Sequence, residues 1–388
     1  MLLPDLSLQP RGFGSVAKNV GIRDETLDFT VVLSEVPAAA AATFTRNTFC
    51  GHPVTVGREH ISAGHLRAVM VNSKNANVAT GPEGLWACRE TCRLLGGELG
   101  IPPESILPCS TGVIGRSLPL DRIRAGISGL RAELAPGGLD GFARAILTTD
   151  TRPKVRCARV GEAILAGCCK GSGMIEPDMA TMLAFFFTDA ALEPAALRGA
   201  LRAAVDISFN MVSVDSDTST SDTAVILANG RAGPVDPGAF GRALRTMAVE
   251  LAQEIARDGE GATKLLEVAV AGAPDEAAAR RVAKAVVNSP LVKTAIWGRD
   301  PNWGRVAMAI GKCFDLPLDP GRVRIAFGAT PVYDGRDLGP GALGELASYL
   351  AGDRIRIEVE LALGAGAATV WGCDLTPEYV RINGEYTT

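Results

Sequence analysis

The stretch EPDMATMLAFFFTD, residues 176–189, places an apolar run in the middle of the chain. Met182 to Phe187 reads as a buried strand, and Thr181 stands directly before it, after the small residue Ala180. Upstream, the glycine-rich KGSGM (170–174) reads as a flexible loop, and Pro177 limits the approach to the strand. By composition Thr181 is a β-branched residue opening a strand, the commoner use of threonine in such a place. The sharper reading uses its hydroxyl. A threonine is a weak nucleophile unless a base sits beside it, and a free α-amino group on the same residue is such a base, with an ordinary pKa near neutrality. That chemistry requires the chain to be cut between Ala180 and Thr181.

Outward from this stretch, strand and helix patterns alternate. DFTVVLS (28–34) and LRAVMVNS (66–73) read as strands. Leu197, Leu201 and Val205 share one face of a helix that Pro194 can start, and Phe240, Leu244, Met247, Leu251 and Ile255 recur at spacings of three and four along a longer one. IRIEVELAL (355–363) alternates, with Ile355, Ile357, Val359 and Leu361 opposed to Arg356, Glu358 and Glu360. A strand with one wet face favours antiparallel sheets covered by helices. APGGLDG (135–141) and RAGPVDPG (231–238) are possible joints, both too short for true linkers. The expected fold is a layered α/β or α+β enzyme.

With 388 residues, 47% hydrophobic and 21% charged, the composition is that of an ordinary globular protein. A net charge of -4 leaves no footprint for nucleic acid, and no basic block suggests a membrane surface. Pro4 and Asp5 fall where a signal peptide needs a basic and then an apolar stretch, so a cytoplasmic location is expected. Nine scattered cysteines form neither a disulfide framework nor a Cys-x-x-Cys zinc pattern; Cys88 and Cys92, one helical turn apart, read as small buried hydrophobes. No metal and no cofactor are expected. The three histidines, His52, His60 and His65, crowd one short region, which disfavours a Ser-His-Asp triad.

CSTGVIG (109–115) puts the Thr111 hydroxyl beside Gly112, whose backbone N–H can approach a ligand closely, as an oxyanion hole needs; alone it is also an ordinary turn. NANVATG (75–81), TTDTRPK (148–154), VDSDTSTSDT (214–223) and DGEGATK (258–264) are polar where a core would be apolar. Each reads singly as a solvated loop, and together they favour a polar small-molecule pocket. Pro82 can open a helix, and Gly259 reads as a helix C-cap with Glu260 projecting from the turn behind it. Asp215, Asp217 and Asp222 superficially resemble a calcium loop but lack its glycine and terminal glutamate.

These stretches, with RGFGSVAKNVGI, VPAAAAATFTRN, SPLVKTA, DPNWGRV and YVRINGEYTT, resemble in order and nearly end to end the glutamate N-acetyltransferases, the ornithine acetyltransferases of arginine biosynthesis. The resemblance implies a two-lobed α/β sandwich made as a precursor that cuts itself between Ala180 and Thr181. Residues 1–180 become an α chain and 181–388 a β chain, assembled as an α2β2 heterotetramer. It implies that Thr181 takes the acetyl group of N-acetylornithine and passes it to glutamate by a ping-pong route, with Thr111 and Gly112 as the oxyanion hole. Thr149, Lys170, Thr181, Glu260, Asn383 and Thr388 would contact substrate, the C-terminal tail serving as a pocket wall. Some members also use acetyl-CoA; recycling of the acetyl group alone is the reading adopted. NSKNANVATG (72–81) departs from the commoner NSGNANACTG at Lys74 and Val78, which is similar to paralogues in secondary-metabolite clusters. Two alternatives are an N-terminal-nucleophile amidohydrolase or aminopeptidase, with water as acceptor, and a non-catalytic amino-acid-binding protein that stays one chain.

Overall fold

The computed structural model describes residues 2–23, 25–176, 182–339 and 346–385. The chain divides into two compact units, the first comprising Met1–Gly171, Glu176–Asn210 and Thr218–Leu251, the second Ser172–Ile175, Met211–Asp217 and Ala252–Thr388.

The first unit is built on a mixed sheet. In chain order its strands are β1 (Leu2–Leu3), β2 (Phe13–Lys18), β3 (Phe29–Phe44), β4 (His65–Asn72), β5 (Ile106–Ser110), β6 (Ala135–Pro136), β7 (Lys154–Val160), β8 (Ala163–Lys170), β9 (Leu183–Ala191) and β10 (Thr223–Pro234). Their spatial order is β1-β7-β8-β9-β10-β3-β2-β6, with β4 also pairing β3, and β5 pairing β4. The apolar run of 182–187 is β9 and its entry, buried throughout as read from the sequence. Its alternate residues serve both sheet faces. Leu183, Phe185 and Phe187 belong to a cluster with Phe13 and Phe142, and Phe142 meets Phe185 edge-on at 4.9 Å; Phe186 approaches Phe209 at 6.4 Å. A strand walled on both faces reads as a continuous apolar run rather than an alternation. Burying four such side chains contributes about 1.5–3 kcal/mol each, so the strand is a rigid rail.

β3 runs on through the alanine-rich segment that follows DFTVVLS, past a register shift between Leu33 and Ala38. Alanine is a poor strand former. Here Ala38 to Ala41 are buried in the sheet and the helix Pro194–Asp206 packs on β3, so small side chains permit close approach. The helix begins at Pro194 and buries Leu197, Leu201 and Val205, as expected. Helix Gly81–Leu99, with Pro82 in its first turn, buries Cys88 and Cys92 among Phe29, Val31, Met70 and Leu95. Both thiols act as small core groups, and a hydrogen bond with Cys92, followed by burial, pushes the Cys88 thiol well up. Helix Pro237–Arg257 buries the five apolar residues that its spacing predicts.

The second unit carries the sheet β13-β12-β14-β11-β15, with β11 (Leu265–Ala273), β12 (Arg324–Phe327), β13 (Thr330–Asp334), β14 (Arg354–Glu360) and β15 (Gly366–Cys373). β14 has the predicted dry face, Ile355, Ile357 and Val359. The expectation of antiparallel pairing is half right. β14 is antiparallel to β12 but parallel to β11 along seven residues, and β9–β10 and β4–β5 in the first unit are also parallel. A wet face fixes which side meets the core, not the direction of the neighbouring strand. No helix among the described residues is long and apolar enough to cross a membrane.

Candidate active site

In the first unit, Lys170 is the last residue of β8, with its side chain largely enclosed. Its Nζ donates to Thr111 Oγ1 at 3.2 Å, which brings together two of the residues named from the sequence. Thr111 follows β5 and is buried at the start of the STGVIG turn, whose far end, Ile114 and Gly115, is exposed. Gly112 has φ +132°, and a Cβ there would lie 2.2 Å from the Lys74 carbonyl carbon and 2.5 Å from the Asn75 nitrogen. Both the backbone conformation and the space require glycine, so the N–H of residue 112 is held in a fixed place beside the Thr111 hydroxyl.

The neighbour that comes so close is the NSKNANVATG loop. Thr111 N–H donates to Asn72 O at 3.1 Å, Val113 N–H to Lys74 O at 3.3 Å, Ala76 N–H to Val113 O at 3.0 Å and Gly115 N–H to Val78 O at 3.0 Å. The amide side chains serve the backbone too: Asn72 Nδ2 donates to Asn75 O at 2.8 Å, and Asn75 Nδ2 to the carbonyls of Arg116 and Ser117, each at 3.1 Å. This corrects the reading of NANVATG, taken singly, as a solvated loop, since Asn75 to Val78 are buried. Its asparagines form a buried frame for the Thr111–Gly112 turn. Lys74, Asn77 and Ala79 all have positive φ. At position 74 the φ of 73° favours glycine, the residue in the commoner family pattern, so Lys74 carries strain of about 1–2 kcal/mol.

Thr149 lies in the loop before β7, half-buried. Its neighbour Asp150, treated by the sequence reading only as part of a polar stretch, organises the region. Its side chain is fully enclosed and bonded to Lys154 Nζ at 2.6 Å, and it accepts from Gly171 N–H at 2.6 Å and Thr148 N–H at 3.2 Å. Burial alone would raise this carboxyl; Lys154 and Lys170, with the hydrogen bonds, hold it at about 2. The carboxylate thereby ties the Thr149 loop to the end of β8 that carries Lys170.

In the second unit, Glu260 is buried and its Oε2 accepts from Asn383 Nδ2 at 2.7 Å. Its own N–H donates to Ser172 O at 2.9 Å. Gly173 owes its identity to this carboxylate, since a Cβ there would stand 2.4–2.5 Å from the Glu260 carboxyl atoms. KGSGM is glycine-rich for close packing at this point, not only for flexibility. The C-cap reading of Gly259 is also corrected. Gly259 is not left-handed, whereas Gly261 is at φ +70°, and a Cβ on Gly259 would meet Cys373 Sγ at 2.7 Å. Asp374 accepts from Thr263 N–H at 2.8 Å and Lys264 N–H at 3.0 Å, and Thr376 Oγ1 donates to Gly261 O at 2.7 Å. These bonds set the Glu260 loop against the helix Pro377–Glu385 that carries Asn383.

Asp215 of VDSDTSTSDT accepts from Met174 and Ile175 N–H, both at 2.7 Å, within this unit. A cavity of about 840 Å³ on the β11–β15 sheet is lined by Arg324, Tyr333, Arg356 and Glu358 and by none of the residues named from the sequence. Ala180, Thr181 and Thr388 lie outside the described residues.

A family profile described as "ArgJ family" matches residues 15–388. Glutamate N-acetyltransferase Oat2 of Streptomyces clavuligerus is 52% identical over 385 residues, 98% of each chain. Arginine biosynthesis bifunctional protein ArgJ 2 of Nostoc sp. is 50% identical over 383 residues, 98% of this chain and 99% of that one. A crystal structure of arginine biosynthesis bifunctional protein argJ from Bacillus halodurans is 43% identical with a TM-score of 0.50, its chain matched in full by 53% of this one.

Proposed function

The chain belongs to the ArgJ family, and on that premise we propose that it is a glutamate N-acetyltransferase of the ornithine acetyltransferase kind. It moves the acetyl group of N-acetylornithine to glutamate through an acetyl ester on Thr181. The observation that carries this reading is the Lys170–Thr111 contact beside Gly112, in which a cation, a hydroxyl and a rigidly placed backbone N–H converge at one turn.

The chain cuts itself between Ala180 and Thr181, giving residues 1–180 and 181–388, and the freed α-amine of Thr181 serves as the base for its own hydroxyl. The Bacillus halodurans chain supports this, since the 53% of the present chain that matches it in full is about the share residues 181–388 represent. Thr111 and Gly112 N–H stabilise the oxyanion formed when Thr181 attacks the acetyl carbonyl. Thr149, Lys170, Glu260, Asn383 and Thr388 bind the amino-acid part. Lys170 pairs with a carboxylate, and Glu260, oriented by Asn383, holds the side-chain ammonium of ornithine. Ornithine leaves, glutamate enters and takes the acetyl group. The enzyme works in the cytoplasm as an α2β2 assembly of its own cut chains, recycles the acetyl group without acetyl-CoA, and needs no cofactor.

The test is release of ornithine from N-acetylornithine with and without glutamate. Turnover that requires glutamate supports the transferase; continued release without it makes water the acceptor and the protein a hydrolase.

A further inference from the structure

Two motifs that the proposed function leaves unused, SPLVKTA and VDSDTSTSDT, meet in the second unit at Val214. Lys293 of the first motif is 4% exposed, and its Nζ donates to Val214 O at 2.9 Å and to Cys373 O at 2.6 Å. Ser213 N–H donates to Trp371 O at 2.8 Å. A buried ammonium and a backbone bond thus fix Ser213 and Val214 to the end of β15. The next residue, Asp215, meets the chain at 174–175. Its Oδ2 accepts from Met174 N–H and its Oδ1 from Ile175 N–H, both at 2.7 Å, while Val214 N–H donates to Ile175 O at 2.7 Å. Met174 has φ +54°, in the left-handed region that a residue with a side chain seldom enters. Successive N–H groups turned toward one anion in this way form a backbone nest. Tyr379 Oη stands 3.4 Å from the same Oδ2, so the carboxylate also meets the helix that carries Asn383.

The piece held by this clasp has a particular place in the chain. Ser172–Ile175 belongs to the second unit, whose other parts, Met211–Asp217 and Ala252–Thr388, all follow residue 181. Once the Ala180–Thr181 bond is cut, these four residues are the α chain's share of that unit, with no covalent link to the rest of it. The end of a chain frays unless it is tied down. The same residues shape the Glu260 loop. Glu260 N–H donates to Ser172 O at 2.9 Å, and a Cβ on Gly173 would stand 2.4 Å from the Glu260 carboxyl carbon.

We infer that Asp215, set in place through Lys293, is a positioning residue. After the cut it keeps the last residues of the α chain seated against Glu260, and so preserves the place that takes the side-chain ammonium of ornithine. This rests on the self-cleavage and ornithine-binding reading above. Asp215 acts through the backbone of residues 174–175 by two charge-assisted bonds, each about twice as strong as a neutral one. Asp215→Asn keeps the shape but leaves one acceptor oxygen for two amides, and its NH2 group meets the second N–H donor against donor.

The experiment compares purified, cut wild type with Asp215→Asn. Asp217→Asn is the control, since Asp217 is exposed and the 174–175 amides donate to Asp215. Timed carboxypeptidase digestion with mass spectrometry reads how far the α chain is trimmed. Trimming needs no substrate, so it tests the clasp even in a cut protein that transfers no acetyl group. The wild-type α chain should retain Ser172 to Glu176. In Asp215→Asn, trimming past Ile175 should run about 10- to 100-fold faster, the range of one charge-assisted bond. KM for N-acetylornithine should rise about tenfold, with kcat within about twofold of wild type, and Asp217→Asn should match wild type in both assays. Trimming no faster in Asp215→Asn, or a KM that stays at the wild-type value, overturns the role of Asp215 while the self-cleavage reading stands. A wild-type chain that never yields a fragment beginning at Thr181 removes both. Should Asp215→Asn fail to fold, hydrogen exchange in cut wild type decides the matter. Met174 and Ile175 amides protected about 10²-fold or more over a free chain support the inference, and exchange at the free-chain rate overturns it.

Discussion

Gly112→Ala is the substitution whose cost can be worked most fully from the geometry. At φ +132° a non-glycine residue pays about 1–3 kcal/mol in backbone strain. The added methyl would also stand 2.2, 2.5 and 2.6 Å from Lys74 C, Asn75 N and Lys74 Cα. All three are backbone atoms of a loop fixed by the Asn72, Asn75 and Val113 bonds, so no side chain can swing aside. Overpacking of this kind adds about 1–3 kcal/mol. A total of about 4 kcal/mol is within the stability of an ordinary domain, so the protein folds, with the 111–113 turn displaced. A shift of 1 Å at reacting groups costs about 10² in rate. Gly115→Ala is the control: its φ of +79° is also positive, but nothing lies within 4 Å, and about 1–2 kcal/mol is expected with the rate preserved. Urea unfolding and the rate of acetyl transfer are measured for both. Equal destabilisation, or a Gly112→Ala enzyme with wild-type transfer, would refute the reasoning.

Other predictions follow from the same frame. Lys154→Met leaves the Asp150 carboxylate enclosed without the cation bonded to it and should destabilise by about 3–5 kcal/mol in urea unfolding. Asp150 has a lowered folded-state pKa, from 3.8 to about 2, so its contribution is complete above the unfolded value and is lost as pH falls through the folded one. That loss amounts to about 2 kcal/mol between wild type and Asp150→Asn in acid unfolding curves. Lys170→Met should lower kcat/KM about 10²-fold, as truncating one side of a buried charged contact does, and should also lower the melting midpoint, though less than Lys154→Met, because its charge helps hold the Asp150 carboxylate. Asn383→Ala removes the 2.7 Å bond to Glu260 and should raise KM for N-acetylornithine by about 10- to 100-fold, the range of a charge-assisted bond of about 1.5–3 kcal/mol.

Where apolar residues repeat at regular spacing, the sequence was legible. Met182–Phe187, the Phe240–Ile255 face and the dry side of β14 all stand as their spacing predicts, because burial of a face is decided by local periodicity. Ala38–Ala41 was not legible as strand, since its place in β3 comes from neighbours distant in sequence. The polar stretches hid a division of labour that composition cannot express. Asn72 and Asn75 frame a turn, Asp150 anchors a loop, Asp215 binds two backbone amides, and Asp222 is buried with one carboxyl oxygen unpartnered among the described residues. In sequence all of them are polar residues in loop-like runs. Gly173 and Gly259 likewise read as flexible or capping residues, whereas Glu260 and Cys373 leave no room for a side chain at either position.

The central claim is that Thr181 becomes an N-terminal nucleophile and carries the acetyl group. It is tested most directly by incubating the purified protein with N-acetylornithine in the absence of glutamate, and analysing its fragments by mass spectrometry and N-terminal sequencing. The account predicts a fragment beginning Thr181-Met182-Leu183 that gains one acetyl group on the Thr181 hydroxyl and loses it when glutamate is added. An intact chain that turns over, or a Thr181→Ala protein with undiminished transfer, would contradict it.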